Sequence, residues 1–128
     1  MAVQNMKFAF LGAGNIANAI ISGLVTQKLL PADCIFVYDL DKEKYKSNII
    51  RQTVCCDSAE QAVDGADIVL FALKPSVIGS VAKELSFCKD FESKTYISVA
   101  AGISSDYICK AFGKQVPVIR TMPNTPLL

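Results

Sequence analysis

The chain has 128 residues, 52% hydrophobic and 20% charged, with a formal net charge of +1. That is enough for one domain with a real core, burying roughly two-thirds of its unfolded surface. So small a net charge excludes the strong basic field of a nucleic-acid binder or of a protein drawn to an acidic membrane.

The first apolar run, Met6 to Leu11, is interrupted only by Lys7 and has strand length. Gly12, Gly14 and Ala17 follow as G-x-G-x-x-A. The apolar period then becomes helical, with Ile16, Ile20 and Leu24 as one stripe and Ala17 and Ile21 beside it. Strand, glycine turn and helix in that order form a dinucleotide pyrophosphate site. Gly12 permits the tight turn, Gly14 keeps side chains away from the phosphates, and Ala17 lets the helix pack close to the strand. Helix N–H groups around Asn15 and Ile16 face the anion.

Lys28 to Asp33 connects to a second strand, Cys34 to Tyr38, with Pro31 as the stop signal. Asp39 follows at once, 25 residues after Gly14, somewhat beyond the usual spacing of about 20. An acid there hydrogen-bonds the adenosine ribose hydroxyls and repels a 2′-phosphate, which favours NADH. Asp39 also reads as a helix cap, a role for which Asp41 competes, ahead of a helix expected over Lys42 to Ile50. Lys42, Lys44 and Lys46 read as a solvated face, or as partners for a 2′-phosphate, which keeps NADPH open.

Thr53 to Cys56 is a short third strand, followed by a helix capped by Asp57 or Ser58 and ended by Gly65. Asp67 to Ala72 is nearly all apolar, as in parallel strands buried on both faces. Leu73, Lys74 and Pro75 lead into a helix over Ser76 to Phe87, with Val77, Val81 and Leu85 as its apolar line. Lys94 to Val99 is the fifth strand. It enters Ala100, Ala101 and Gly102, then a helix from Ser104 or Ser105 to Phe112. Val116 to Arg120 is the sixth strand, and Pro117 puts it at an edge or at a strand start.

This alternation predicts a doubly wound α/β fold of Rossmann type, with a mostly parallel sheet in the order 3-2-1-4-5-6. Ligand then binds at the carboxyl ends of the strands. Four small-residue stretches fall on that rim: Gly12 to Ala17, Ala72 to Pro75, Ala100 to Gly102 and Met122 to Thr125.

Other features limit the chemistry. No apolar run approaches the roughly 20 residues of a membrane span. Met1 to Asn5 lacks the marks of a signal peptide, so a cytoplasmic location is expected. The five cysteines form no CxxC pair and the chain has no histidine, so neither a disulfide framework nor a metal site is expected. Cys34, Cys55, Cys56, Cys88 and Cys109 read as buried small hydrophobes, with Cys55 and Cys56 on opposite strand faces. Without histidine, the commonest general base of an alcohol dehydrogenase is missing.

The rim segments together resemble the pyrroline-5-carboxylate reductase family. The matching stretches are GAGNIANAIISGL at Gly12 to Leu24, ALKP at Ala72 to Pro75, SVAAGIS at Ser98 to Ser104 and RTMPNTP at Arg120 to Pro126. The last is the most specific. The resemblance implies a Rossmann domain that binds NAD(P)H and delivers hydride to the imine of 1-pyrroline-5-carboxylate, giving L-proline. It implies that Leu11, Gly12, Ala13, Gly14, Asn15 and Ile16 hold the pyrophosphate. It implies that Ala72, Leu73, Lys74, Pro75, Val99, Ala100, Ala101 and Gly102 line the nicotinamide ribose and ring, with Met122, Pro123 and Asn124 beside them. A protonated imine already carries the charge that accepts hydride, so positioning can suffice.

Lys74 reads equally as a source of positive potential near cofactor or substrate and as a solvated loop lysine. Arg120 reads as structural. The family continues into a helical domain that supplies dimer contacts and most of the imino-acid site, and the present sequence stops before it. The catalytic residues are therefore left unassigned, and residues 1–128 are expected to be the cofactor domain of a homo-oligomer. Two rival readings are a hydroxyacid dehydrogenase relative, a group without the MPNTP segment, and a nucleotide sensor without catalysis. The fold alone does not separate them.

Overall fold

The computed structural model describes residues 6–99 and 105–120. Its strands are β1 (Phe8–Leu11), β2 (Ile35–Tyr38), β3 (Val54–Cys55), β4 (Ile68–Phe71), β5 (Thr95–Ser98) and β6 (Val118–Arg120). They form one sheet in the order β3-β2-β1-β4-β5-β6, with every pair parallel. This is the expected order. The helices are α1 (Asn15–Thr26), α2 (Ala59–Val63), α3 (Pro75–Leu85) and α4 (Ser105–Phe112).

Alternation along the strands explains why both faces are covered. On β1, Ala9 and Leu11 join a cluster with Ala62 of α2, Ile78 and Leu85 of α3 and Ile108 of α4. Phe10, between them, points to the opposite cluster with Ala17 and Ile21 of α1. β4 repeats the pattern, with Val69 and Phe71 on one face and Leu70 on the other. Beneath α4, Tyr96 and Phe112 lie with ring centroids 4.7 Å apart, and Phe91 stacks on Phe112 at 5.4 Å. Burial pushes the Tyr96 phenol well above its ordinary pKa, and its hydroxyl donates to the Phe91 carbonyl at 2.7 Å.

Several expectations need correction. The helix expected over Lys42 to Ile50 is instead two short 3-10 turns, Lys42–Lys46 and Ile50–Gln52. The cause is tertiary: side-chain contacts to β2 and β3, described below, hold the chain in tighter turns than an α-helix allows. On α3 the buried line is Ile78, Ala82 and Leu85, while Val77 is exposed. On α1 it is Ala17 and Ile21, while Ile16 is exposed. Each helix carries two adjacent apolar stripes, so spacing could not choose between them. Close packing selected the stripe containing the small residue. Cys56 and Cys109 are buried but Cys55 is exposed, so the five cysteines do not share one environment. The opposite orientations of Cys55 and Cys56 are as expected.

Among the described residues β6 pairs only with β5, and it begins just after Pro117, whose carbonyl accepts the Tyr96 N–H at 2.9 Å. Ala100, Ala101, Gly102, Met122, Pro123 and Asn124, like the Met1–Asn5 lead-in, lie outside the described residues.

Candidate functional site

The carboxyl ends of β1, β2 and β4 open on a cleft of about 800 Å³, lined by Gly14, Tyr38–Asp41, Lys44, Ala72–Lys74, Val77, Ser80, Val81 and Glu84. It lies where β2 and β4 flank β1, at the reversal of strand order.

The turn after β1 is fixed from both sides. The Gly12 N–H donates to the Tyr38 carbonyl at 2.7 Å, and the Leu11 carbonyl accepts the Ala72 N–H at 2.8 Å. Gly12 has φ +111°, and a Cβ there would fall on the Ala72 carbonyl oxygen. The protein's own backbone therefore requires glycine at this position.

Gly14 is different. Its φ of −83° is open to any residue, and a Cβ there would meet nothing within 4 Å. No contact within the described protein explains the glycine, yet it lines the cleft. It is also the N-cap of α1, with no side chain capping the helix and no acid in the first turn. The first N–H groups of a helix have no intrahelical partners, so this end offers donors and the positive end of a dipole to an anion. A dinucleotide pyrophosphate fits a cradle of this kind.

Asp39 sits beneath the turn, only 6% exposed. Its Oδ2 accepts the Ala13 N–H at 2.8 Å, and its Oδ1 accepts the Asp41 N–H at 2.8 Å. Lys44 Nζ is 3.5 Å from Oδ2. The carboxylate thus fastens the glycine turn to the end of β2, and the Ala13 N–H is already engaged. Asp41 is the cap, accepting the Glu43 N–H at 3.1 Å.

Sequence reasoning missed three residues that secure this corner. Asn18 donates through Nδ2 to the carbonyls of Ala13 at 3.1 Å and Gly14 at 2.8 Å, while its Oδ1 accepts the Ser47 hydroxyl at 2.8 Å. Tyr45 donates its hydroxyl to the Cys56 carbonyl at 2.6 Å and accepts the Asp39 N–H at 3.0 Å. Burial pushes the Tyr45 phenol above its ordinary pKa. The position of Asn18 in the first turn after two glycines was a usable signal. Tyr45 and Ser47 carried none.

Of the other candidate residues, Leu11 is fully buried and Val99 nearly so. Asn15 and Ile16 are exposed at the start of α1. Ala72 and Leu73 are half-buried in the cleft wall. Lys74 is exposed as the N-cap of α3, and Pro75 takes the first helical position. The Ser98 hydroxyl, at the carboxyl end of β5, is buried and has no hydrogen-bond partner among the described residues. Among the described residues no group of three or more His, Cys, Asp or Glu could hold a metal ion, and no helix is long and apolar enough to cross a membrane.

A family model described as NADP oxidoreductase, coenzyme F420-dependent, matches residues 7–102. The pyrroline-5-carboxylate reductase of Haemophilus influenzae is 36% identical over 126 residues, covering 98% of this chain and 46% of that protein. The crystal structure of Plasmodium falciparum pyrroline carboxylate reductase with NADP bound superposes with a TM-score of 0.82 at 26% identity, covering 96% of this chain and 44% of that one. A pyrroline-5-carboxylate reductase from Coxiella burnetii gives 0.81 at 31% identity, covering 94% and 45%. The chain spans a little under half the length of these relatives.

Proposed function

The chain belongs to the family of NADP oxidoreductases described as coenzyme F420-dependent, and from its likeness to the reductases above we propose that it is the cofactor-binding half of a pyrroline-5-carboxylate reductase. The single observation that carries cofactor binding is Gly14, a glycine that the described protein does not itself require, at the mouth of the cleft. The cofactor is NAD(P)H, with Asp39 tilting the site toward NADH. NAD(P)H supplies the hydride, and the acceptor is the C=N carbon of a cyclic imino acid.

The residues of this chain bind and orient. The turn from Gly12 to Ile16 seats the pyrophosphate on the α1 N-terminus. Ala72–Pro75, Val99–Gly102 and Met122–Asn124 shape the nicotinamide end. The contribution of these residues is alignment, which can supply roughly 7–11 kcal/mol, at an imine that the other domain's proton donor keeps charged. The other wall of the imino-acid site, the proton donor and the homo-oligomer contacts belong to a helical domain beyond these residues. The partner is a small molecule, in the cytoplasm, with neither nucleic acid nor membrane involved.

Calorimetry with NADH and NADPH on the parent and on Gly14→Val tests the site. The valine side chain occupies open space and leaves the melting temperature within a few degrees, while both affinities fall more than tenfold. Equal affinity in parent and variant would remove the turn from the site. The division of labour is tested by steady-state reduction of 1-pyrroline-5-carboxylate, expected to be negligible for this chain beside the H. influenzae relative. Comparable turnover would place the substrate wall within these residues.

A further inference from the structure

A second cavity, of about 410 Å³, lies away from the cleft, at the other end of the sheet. Asp64 closes α2 ahead of β4 and Lys94 immediately precedes β5, so the cavity opens by the amino ends of these strands. Its size falls in the range of roughly 300–1,000 Å³ for small-molecule pockets. Lys94, in its wall, is only 6% exposed. Its Nζ donates to the Ala66 carbonyl at 2.8 Å, and among the described residues no carboxylate is ion-paired with it. Lysines are almost never so buried without an anionic partner, because one carbonyl does not balance a desolvated charge.

The α2 wall has the reverse need. Glu60 lines the cavity and shares a carboxyl–carboxyl hydrogen bond with Glu84 of α3, which pushes the Glu84 carboxyl above its ordinary pKa. Two acids so close call for a cation. The half-buried Cys88 thiol, also in the wall, feels both sides. Burial pushes it up, Glu60, Glu84 and Asp64 add to the rise, and Lys94 opposes it. Val63 and the exposed ring of Phe87 supply apolar surface. Among the described residues the acids and the thiol form no group that could hold a metal ion.

We propose that this cavity binds a small zwitterionic amino acid, its carboxylate on Lys94, its ammonium on Glu60 and its apolar side chain against Val63 and Phe87. The ligand makes the ion pairs that the two walls do not make with each other. A simple anion would meet the carboxylates, and a simple cation would meet Lys94 and, at the exposed rim, Lys89. A zwitterion presents each wall with the sign it lacks. The site is separate from the cofactor cleft and does not depend on the dinucleotide reading.

Amide NMR titration tests it, with L-valine and L-proline as probes. Isovalerate and isobutylamine serve as half-ligands, being valine without its ammonium and without its carboxylate. Both amino acids shift the amides of Ala66, Cys88 and Lys94 saturably and leave those of Gly14 and Asp39 unmoved. Each half-ligand binds about tenfold more weakly than L-valine, the scale of one charge-assisted hydrogen bond. Glu60→Gln, on the exposed side of α2, lowers L-valine affinity about tenfold and leaves isovalerate within about twofold. Lys94→Met abolishes binding of both, and should that variant unfold, Glu60→Gln decides. L-Valine also slows alkylation of Cys88 severalfold while sparing the rate at Cys55, which is exposed on β3. No saturation below about 50 mM amino acid, half-ligands that match L-valine, a Glu60→Gln variant that binds like the parent, or shifts confined to Gly14 and Asp39 would each overturn the site.

Discussion

The turn after β1 and the segment after β2 meet at Asp39, yet they take their shapes by opposite means. The turn is shaped by absence, and only then fastened by Asp39 and Asn18. Gly12 leaves room for the Ala72 carbonyl, and Ala17 is small enough to be wholly buried against the sheet. The segment is held by presence, through a phenol on the Cys56 carbonyl, an ammonium over two rings and a serine hydroxyl on Asn18. A region shaped by missing atoms fails when an atom is added. A region tied by side chains fails when one is taken away.

Gly12→Ala makes the largest break. A Cβ at φ +111° meets both backbone strain and the Ala72 carbonyl. These cost about 1–3 kcal/mol each, a large part of a total stability of about 5–15 kcal/mol. Urea denaturation checks it, and a midpoint within error of the parent would refute the account of the turn.

Asp39→Ser works on the joint between the regions. It removes the acceptor of the Ala13 and Asp41 N–H groups, with an expected loss of about 2–4 kcal/mol. NADPH affinity should also rise relative to NADH, since the like charge near the 2′ position is gone. An unchanged affinity ratio combined with lost stability would make Asp39 a fastener of the turn and nothing more.

Tyr45→Phe is the mildest, at about 1–2 kcal/mol, because Lys42 still donates to the Cys56 carbonyl. The same residue gives a pH signature. Burial raises the Tyr45 phenol above its ordinary value of 10.0 in the folded protein. The unfolded chain therefore releases that proton first. Stability is complete below about pH 10 and falls as pH rises from there through the folded value. Thermal melts at pH 8 to 11 should show a shallower alkaline decline in Tyr45→Phe than in the parent.

The same contrast explains what could be read in the sequence. Parallel strands buried on both faces must be apolar runs, and a turn that needs φ > 0 must show glycine. β1, β4, the strand order and the Gly12 turn were therefore legible. The Lys42–Gln52 region was not, because its charge-rich stretch has ordinary helical composition. Its true shape depends on Tyr45 reaching a carbonyl 11 residues away. Asp39 was legible as the acid at the strand end, but its bond to Ala13 spans 26 residues and left no local trace. The choice of Ile78 over Val77, and of Ile21 over Ile20, was decided by how closely each helix could approach the sheet.

The middle position of β1 has a consequence for how the chain reaches this state. Its partner β4 is met 60 residues later, Phe8 lying beside Ile68. At a synthesis rate of about 5–20 residues per second, the future centre of the sheet waits roughly 3–12 s for the strand that will cover it. During that interval the first strand has only β2 to pair with, and its other edge is an open template. A sheet built from the middle outward thus begins life as an edge. The emerging chain depends most on chaperones, and is most prone to pair wrongly with a neighbour, before Ile68 has been made.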